Sequence, residues 1–170
     1  MSKPIMEAPN FDPHEQRRIM GMFATGVTVV TTIGQAGHGC AMTANSIISL
    51  SLSPPLILFA VDLRNAMRKQ LTDSKCFAVN ILSRDQEPLS QRFATPGPKN
   101  VDEIESYGAV TGAPVLCNAL AWLDCRLTEK IPGGDHEIFI GQIVAGEANS
   151  GDPLLFYAGS YRSISPQEPK

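Results

Sequence analysis

The chain has 170 residues, 43% of them apolar, with a formal net charge of −3. That length fits one domain able to bury roughly 70% of its unfolded surface. The weak negative charge gives no reason to expect nucleic acid or an anionic membrane as a partner. No apolar stretch reaches the length of a membrane span, and residues 1–11 have neither the basic start nor the apolar run of a secretory signal. A cytoplasmic protein is expected, with its four cysteines reduced, since Cys40, Cys76, Cys117 and Cys125 follow no zinc or redox spacing.

Residues 1–10 are read as a flexible tail, 11–164 as the domain and 165–170 as a second tail. Asp12-Pro13-His14-Glu15 predicts a helix start, with Asp12 as cap, Pro13 in the first turn and Glu15 completing a capping box. Ile19, Met22 and Phe23 then form an apolar stripe, and Gly26 is the expected stop. The β-branched run Val27–Ile33 predicts a strand. A glycine-rich turn and a second strand near Cys40–Asn45 complete a hairpin.

Residues 46–53 are too rich in serine for a buried strand, and Pro54-Pro55 disfavours regular pairing in a sheet centre. A strand is expected over Leu56–Val61, a short helix capped by Asn65 over Asn65–Leu71, and a strand over Cys76–Leu82. Asp85–Phe93 reads as a helix with Leu89 and Phe93 on one face. Residues 94–114 read as a long loop with one helical turn near Val101–Glu105. Ala119–Glu129 and Glu137–Ala148 predict two strands joined at Gly133-Gly134. One further short strand lies near Leu154–Tyr157. The total of about seven strands and three helices has no β-α-β rhythm, so a small mostly-β barrel with peripheral helices is favoured, closure protecting its edges.

Several segments carry chemistry. Thr43-Ala44-Asn45-Ser46 combines a strand end with amide and hydroxyl groups. Ser49, Ser51 and Ser53 fall on one face if the chain is extended there. Asp62–Lys69 opens a helix whose free amides suit an anion, with Arg64, Arg68 or Lys69 adding charge. In Gly133-Gly134-Asp135-His136, glycines in a tight bend permit close backbone approach beside one of only three histidines. Each string also has an ordinary structural reading: a hydrogen-bonded turn, serines satisfying local backbone, solvated helix charges, a surface hairpin.

Together the segments resemble the flavin reductase family with the FMN-binding split-barrel fold, the reductase components of two-component flavin monooxygenases. The resemblance runs from Phe11 to Ile164. It is carried by Ala24–Thr31, Met42–Ser46, Ser49–Leu56, Phe77–Leu82, Arg92-Phe93-Ala94, Gly134-Asp135-His136 and Tyr157–Arg162. It implies a mostly-β Greek-key barrel, a homodimer, and reduction of FMN or FAD by NADH or NADPH for a partner flavin-dependent monooxygenase. It implies cofactor contacts from Thr43, Ala44, Asn45, Ser46, Ser49, Leu50, Ser51, Asn65, Arg68, Phe93, Gly134, His136 and Tyr161. His136 is expected to position the nicotinamide and Asp135 to orient His136; no metal is expected. Many relatives carry serine or threonine where this chain has Asn65-Ala66; Asn65 can donate a hydrogen bond in their place. A flavin-bound reductase of a corrinoid, quinone or nitro compound, and a non-catalytic flavin-binding protein, remain alternatives.

Overall fold

A computed structural model describes residues 11–34, 37–95, 97 and 99–164; both expected tails lie outside them. Seven antiparallel strands form the main sheet: β2 (Thr28–Ile33), β3 (Gly39–Ala44), β4 (Ile48–Leu52), β5 (Pro55–Asp62), β6 (Cys76–Ile81), β9 (Ala121–Gly133) and β10 (His136–Ala148). Their order is β3-β2-β6-β9-β10-β5-β4. Two smaller sheets join β1 (Thr25–Gly26) to β11 (Leu155–Tyr157) and β12 (Ser160–Arg162), and β7 (Ser106–Gly108) to β8 (Pro114–Leu116). Helices α1 (Pro13–Met20), α2 (Met67–Ser74) and α3 (Glu87–Ala94) lie around them. None of the three is long and apolar enough to cross a membrane.

The strands form where expected because β-branched and aromatic residues alternate across a sheet buried on both faces. On one face Val30, Phe77, Val79, Phe59 and Phe139 pack with Met67 and Leu71 of α2. The Phe59 ring meets Phe77 edge-on at 4.9 Å and stacks on Phe139 at 5.6 Å. Gly141 makes room for this cluster, since a Cβ there would stand 2.3 Å from the Phe77 ring. On the other face Val29, Ala41 and Leu82 pack with Phe93 of α3 and with Val101, Leu116 and Leu154.

Burial pushes the Cys125 thiol up to about 12, helped by the neighbouring Asp124 charge. Fully buried as well, Cys125 should resist maleimide labelling in the folded protein and react only after denaturation. Mass spectrometry checks this, and native labelling at Cys125 would contradict the packing.

The structure corrects several expectations. The main sheet is split, as the split-barrel resemblance implies, and not closed, with β3 and β4 at its two ends. Protection comes instead from the 99–101 segment, which bonds along the outer edge of β3: Ala41 N–H donates to the Lys99 carbonyl and Val101 N–H to the Gly39 carbonyl. Asp12 caps α1 by accepting from His14 N–H at 2.9 Å, but there is no capping box. Glu15 instead forms a double hydrogen bond with Arg18, both contacts at 2.7 Å.

Helix α1 ends at Gly21, not Gly26, because the Gly21 carbonyl accepts from Ala158 N–H and the chain turns into β1. Its apolar stripe is not core: Ile19, Met22 and Phe23 are all exposed. Residues 48–52 do form a strand, at the sheet's edge, closed onto β5 by a Leu52–Pro55 pairing. A bulge between Ser49 and Ser51 breaks the strict alternation that would put the serines on one face. The one turn expected near Val101 is present, with Ile104 N–H donating to the Val101 carbonyl, but the expected long loop also holds β7 and the start of β8. The C-terminal segment makes two strands instead of one.

Candidate active site

Three elements converge at one end of the main sheet: the end of β3, the connection from β5 into α2, and the end of α3. Between them lies a groove of about 510 Å³ lined by Met42 and Thr43, by Asp62, Arg64, Asn65 and Ala66, and by Phe93, Ala94 and Thr95. It shares Thr43 and Ala94 with a smaller hollow of about 220 Å³ lined by Ala44, Asn45, Ser90, Phe156 and Tyr161. Its walls mix apolar side chains (Met42, Ala66, Phe93, Ala94) with polar and charged ones (Thr43, Asp62, Arg64, Asn65, Thr95).

Thr43 stands where the two hollows meet. Its hydroxyl donates to the Ser90 carbonyl at 2.6 Å, and the Ser90 hydroxyl pairs with that of Tyr161 at 2.8 Å. Phe156 braces the Tyr161 ring edge-on at 5.4 Å. One hydrogen-bonded chain therefore ties β3, α3 and β12 together behind the site.

Asn65 turns the chain into α2. Its side-chain oxygen accepts from Met67 N–H at 2.9 Å in a turn just ahead of the helix, which starts at Met67 with Ala66, not the expected Asn65, at its N-cap. Across this turn Arg64 forms a double hydrogen bond to Asp62, Nε to Oδ1 at 3.0 Å and Nη2 to Oδ2 at 2.7 Å. The Arg64 side chain, then its backbone N–H, hold the Asp62 carboxyl well below the usual carboxylate range.

The Gly134-Asp135-His136 turn stands beside this corner. His136 pairs with both Gly133 and Asp62 in the sheet, and Leu63 N–H donates to the Asp135 carbonyl at 3.0 Å. Gly134 has φ +70°, a left-handed conformation suited to glycine. His136 Nδ1 lies 2.7 Å from Asp135 Oδ1, and that contact holds the Asp135 carboxyl below its usual range. An ionised Asp135 selects the Nδ1–H tautomer and leaves Nε2 free to meet a ligand.

The structure thus gathers Thr43, Ala44, Asn45, Asn65, Phe93 and Tyr161 around the two hollows, with Gly134, Asp135 and His136 beside the lip. Other expected contacts fall elsewhere. Ser46 both donates to the Ala60 carbonyl and accepts from its N–H, satisfying the edge of β5. Ser49, Leu50 and Ser51 lie on β4 and line neither hollow. Arg68 bonds Glu137 at 3.2 Å and the Leu63 carbonyl at 2.9 Å, so the cation in the groove wall is Arg64. Phe93 is only 3% exposed, packed in the core with little ring face left for stacking. Asp62, Ser90, Thr95 and Phe156 were not anticipated. The Asp62–Arg64 spacing is a local signal, whereas Ser90 matters through Thr43 and Tyr161, 47 and 71 positions away.

The candidate site is thus a two-part groove carrying one guanidinium, with a histidine-bearing hairpin beside it. The chain belongs to the flavin reductase like domain family, which matches residues 20–165. It is 38% identical to the NADH-dependent FAD reductase of Streptomyces globisporus, over 96% of this chain and 94% of that protein. It superposes on flavin reductase PheA2 with a TM-score of 0.85 at 40% identity, covering 92% of this chain and all 100% of that one. On BorF, the flavin reductase component of a bacterial two-component tryptophan halogenase, the TM-score is 0.84 at 38% identity, covering 92% and 100%.

Proposed function

We propose that this chain is an NADH-dependent flavin reductase that reduces FMN or FAD and supplies the reduced flavin to a partner monooxygenase. The observation that carries this reading is the joined groove with the Asp135-His136 hairpin tethered at its lip by the Leu63 N–H bond. The residues present fit a flavin. Small side chains at Ala41, Ala66, Ala94 and Gly97 leave room for a flat ring, and Arg64 with the Ala66 N–H suits a phosphate.

When bound, the flavin supplies a two-electron acceptor for the hydride of NADH. The chain supplies geometry. Met42 and the neighbouring small residues exclude water from one side of the ring site. Thr43, Asn45 and Tyr161 present polar groups at the junction of the two hollows. His136 orients the nicotinamide carboxamide through Nε2, and Asp135 holds the imidazole from the other side.

The domain spanning residues 11–164 acts as a homodimer in the cytoplasm. Two exposed apolar surfaces support self-association: Ile19, Met20, Met22 and Phe23 around α1, and Ile48, Leu50 and Leu52 along β4. Sedimentation should give twice the 18.3 kDa chain mass; a monomer at assay concentration would remove the dimer from this reading. For the activity itself, dialysed protein should oxidise NADH only when FMN or FAD is added. NADH oxidation that ignores added flavin would refute a reductase of free flavin.

A further inference from the structure

Arg64 and Asp62 form a two-point pair. The carboxylate accepts two bonds from the guanidinium and a third from Arg64 N–H at 2.8 Å. Yet the Arg64 side chain is 89% exposed and Asp62's is 31% exposed, so the pair sits at the solvent side of the groove it lines. Such an exposed pair gains little net energy and re-forms readily with a better partner. Nearby Arg68 is engaged by Glu137 and the Leu63 carbonyl, and Glu137 also meets Lys130 at 3.6 Å. Among the described residues, Arg64 is the only cation that lines the groove.

A second observation lies beside it. From Leu63 to Arg68 the backbone amides are taken by Asp135, Asp62 (side chain, then carbonyl), and the Asn65 side chain and carbonyl. Among the described residues, the Ala66 N–H alone in this stretch has no partner, and Ala66 lines the groove next to Arg64. A guanidinium on a weak internal partner and a free amide on the same wall make an anion site that is half-closed by its own carboxylate.

Building on the flavin reading, we propose that Asp62 is an internal competitor for the flavin phosphate: Arg64 exchanges Asp62 for the phosphate when flavin binds and returns to Asp62 when flavin leaves. No bond is made or broken covalently, and the exchange swaps one charge-assisted pair for another. Its consequence is specificity and release. The phosphate contributes to binding only what exceeds the Asp62–Arg64 pair, so flavin is held loosely enough to leave after reduction.

The test compares FMN with riboflavin, which lacks the phosphate, using flavin fluorescence to measure Kd for the wild type, Asp62→Asn, Arg64→Gln and the double variant. Asp62→Asn should tighten FMN about fivefold, and Arg64→Gln should weaken it by about the same factor. Riboflavin affinity should stay unchanged throughout, and Asp62→Asn should have no effect when Arg64 is already glutamine. An unchanged FMN-to-riboflavin ratio in Asp62→Asn would overturn the proposal. So would equal tightening in the double variant, which would mean mere removal of negative charge. A raised KM for NADH in Arg64→Gln, with FMN binding intact, would assign the guanidinium to the nicotinamide nucleotide and overturn it too. If wild-type protein binds neither riboflavin nor FMN, the flavin reading itself falls and takes the exchange with it.

Discussion

His136→Ala should lower kcat/KM for NADH by about 100-fold while leaving riboflavin affinity unchanged. The effect is large because hydride transfer depends on alignment, and misplacing a reacting group by about 1 Å costs roughly that factor. The effect should be confined to NADH because His136 stands beside the groove and does not line it. The fold should survive the substitution, since the strand pairing of residue 136 to Gly133 and Asp62 uses backbone groups alone. Steady-state kinetics with separate flavin titrations check it. Asp135→Asn tests the positioning role: the turn keeps its shape, the 2.7 Å contact to Nδ1 loses its charge, and KM for NADH should rise more than kcat falls. Equal loss of NADH turnover and flavin binding in His136→Ala would place the imidazole in the flavin site instead.

Phe59→Ala should cost about 3–5 kcal/mol, the usual price of emptying a buried aromatic site. Phe59 is fully buried and sits between the Phe77 and Phe139 rings, so its loss removes two aromatic contacts and opens a cavity at the centre of the main core. The surrounding ladder, with β5 paired to β10 over seven positions, limits how far the walls can collapse. Urea unfolding should show a much lower midpoint with an unchanged slope. A shift equivalent to under about 1 kcal/mol would mean that the sheet closes around the gap and the core is less tightly packed than the ring distances indicate.

Local signals made most of the scaffold legible. The runs at Val27–Ile33, Leu56–Val61 and Cys76–Leu82 are β-branched or aromatic enough to specify strands, and each is found within a residue or two of its expected bounds. What escaped depends on partners far along the chain. The α1 stop at Gly21 is set by a bond from Ala158, and β1 exists only because Phe156 and Leu155 pair with it. The outer edge of β3 is covered by a loop whose prolines and glycines gave no hint of where it would dock.

The site divides in the same way. Thr43, Asn65 and the Gly134–His136 turn stand at or beside the groove and have local signatures in the sequence: a strand end, a turn residue and a glycine bend. Ser46 and Phe93 also have structural partners, since Ser46 bonds the free edge of β5 and Phe93 packs in the core while lining the groove. The direction Arg68 takes was decided by Glu137, 69 positions away.

Anaerobic rapid mixing of the purified protein and FMN or FAD with NADH, followed by flavin absorbance, tests the central claim most directly. At least one flavin should bleach fast, at a rate that rises with enzyme concentration and falls sharply in His136→Ala. Flavin that binds but bleaches no faster than with NADH alone would contradict it.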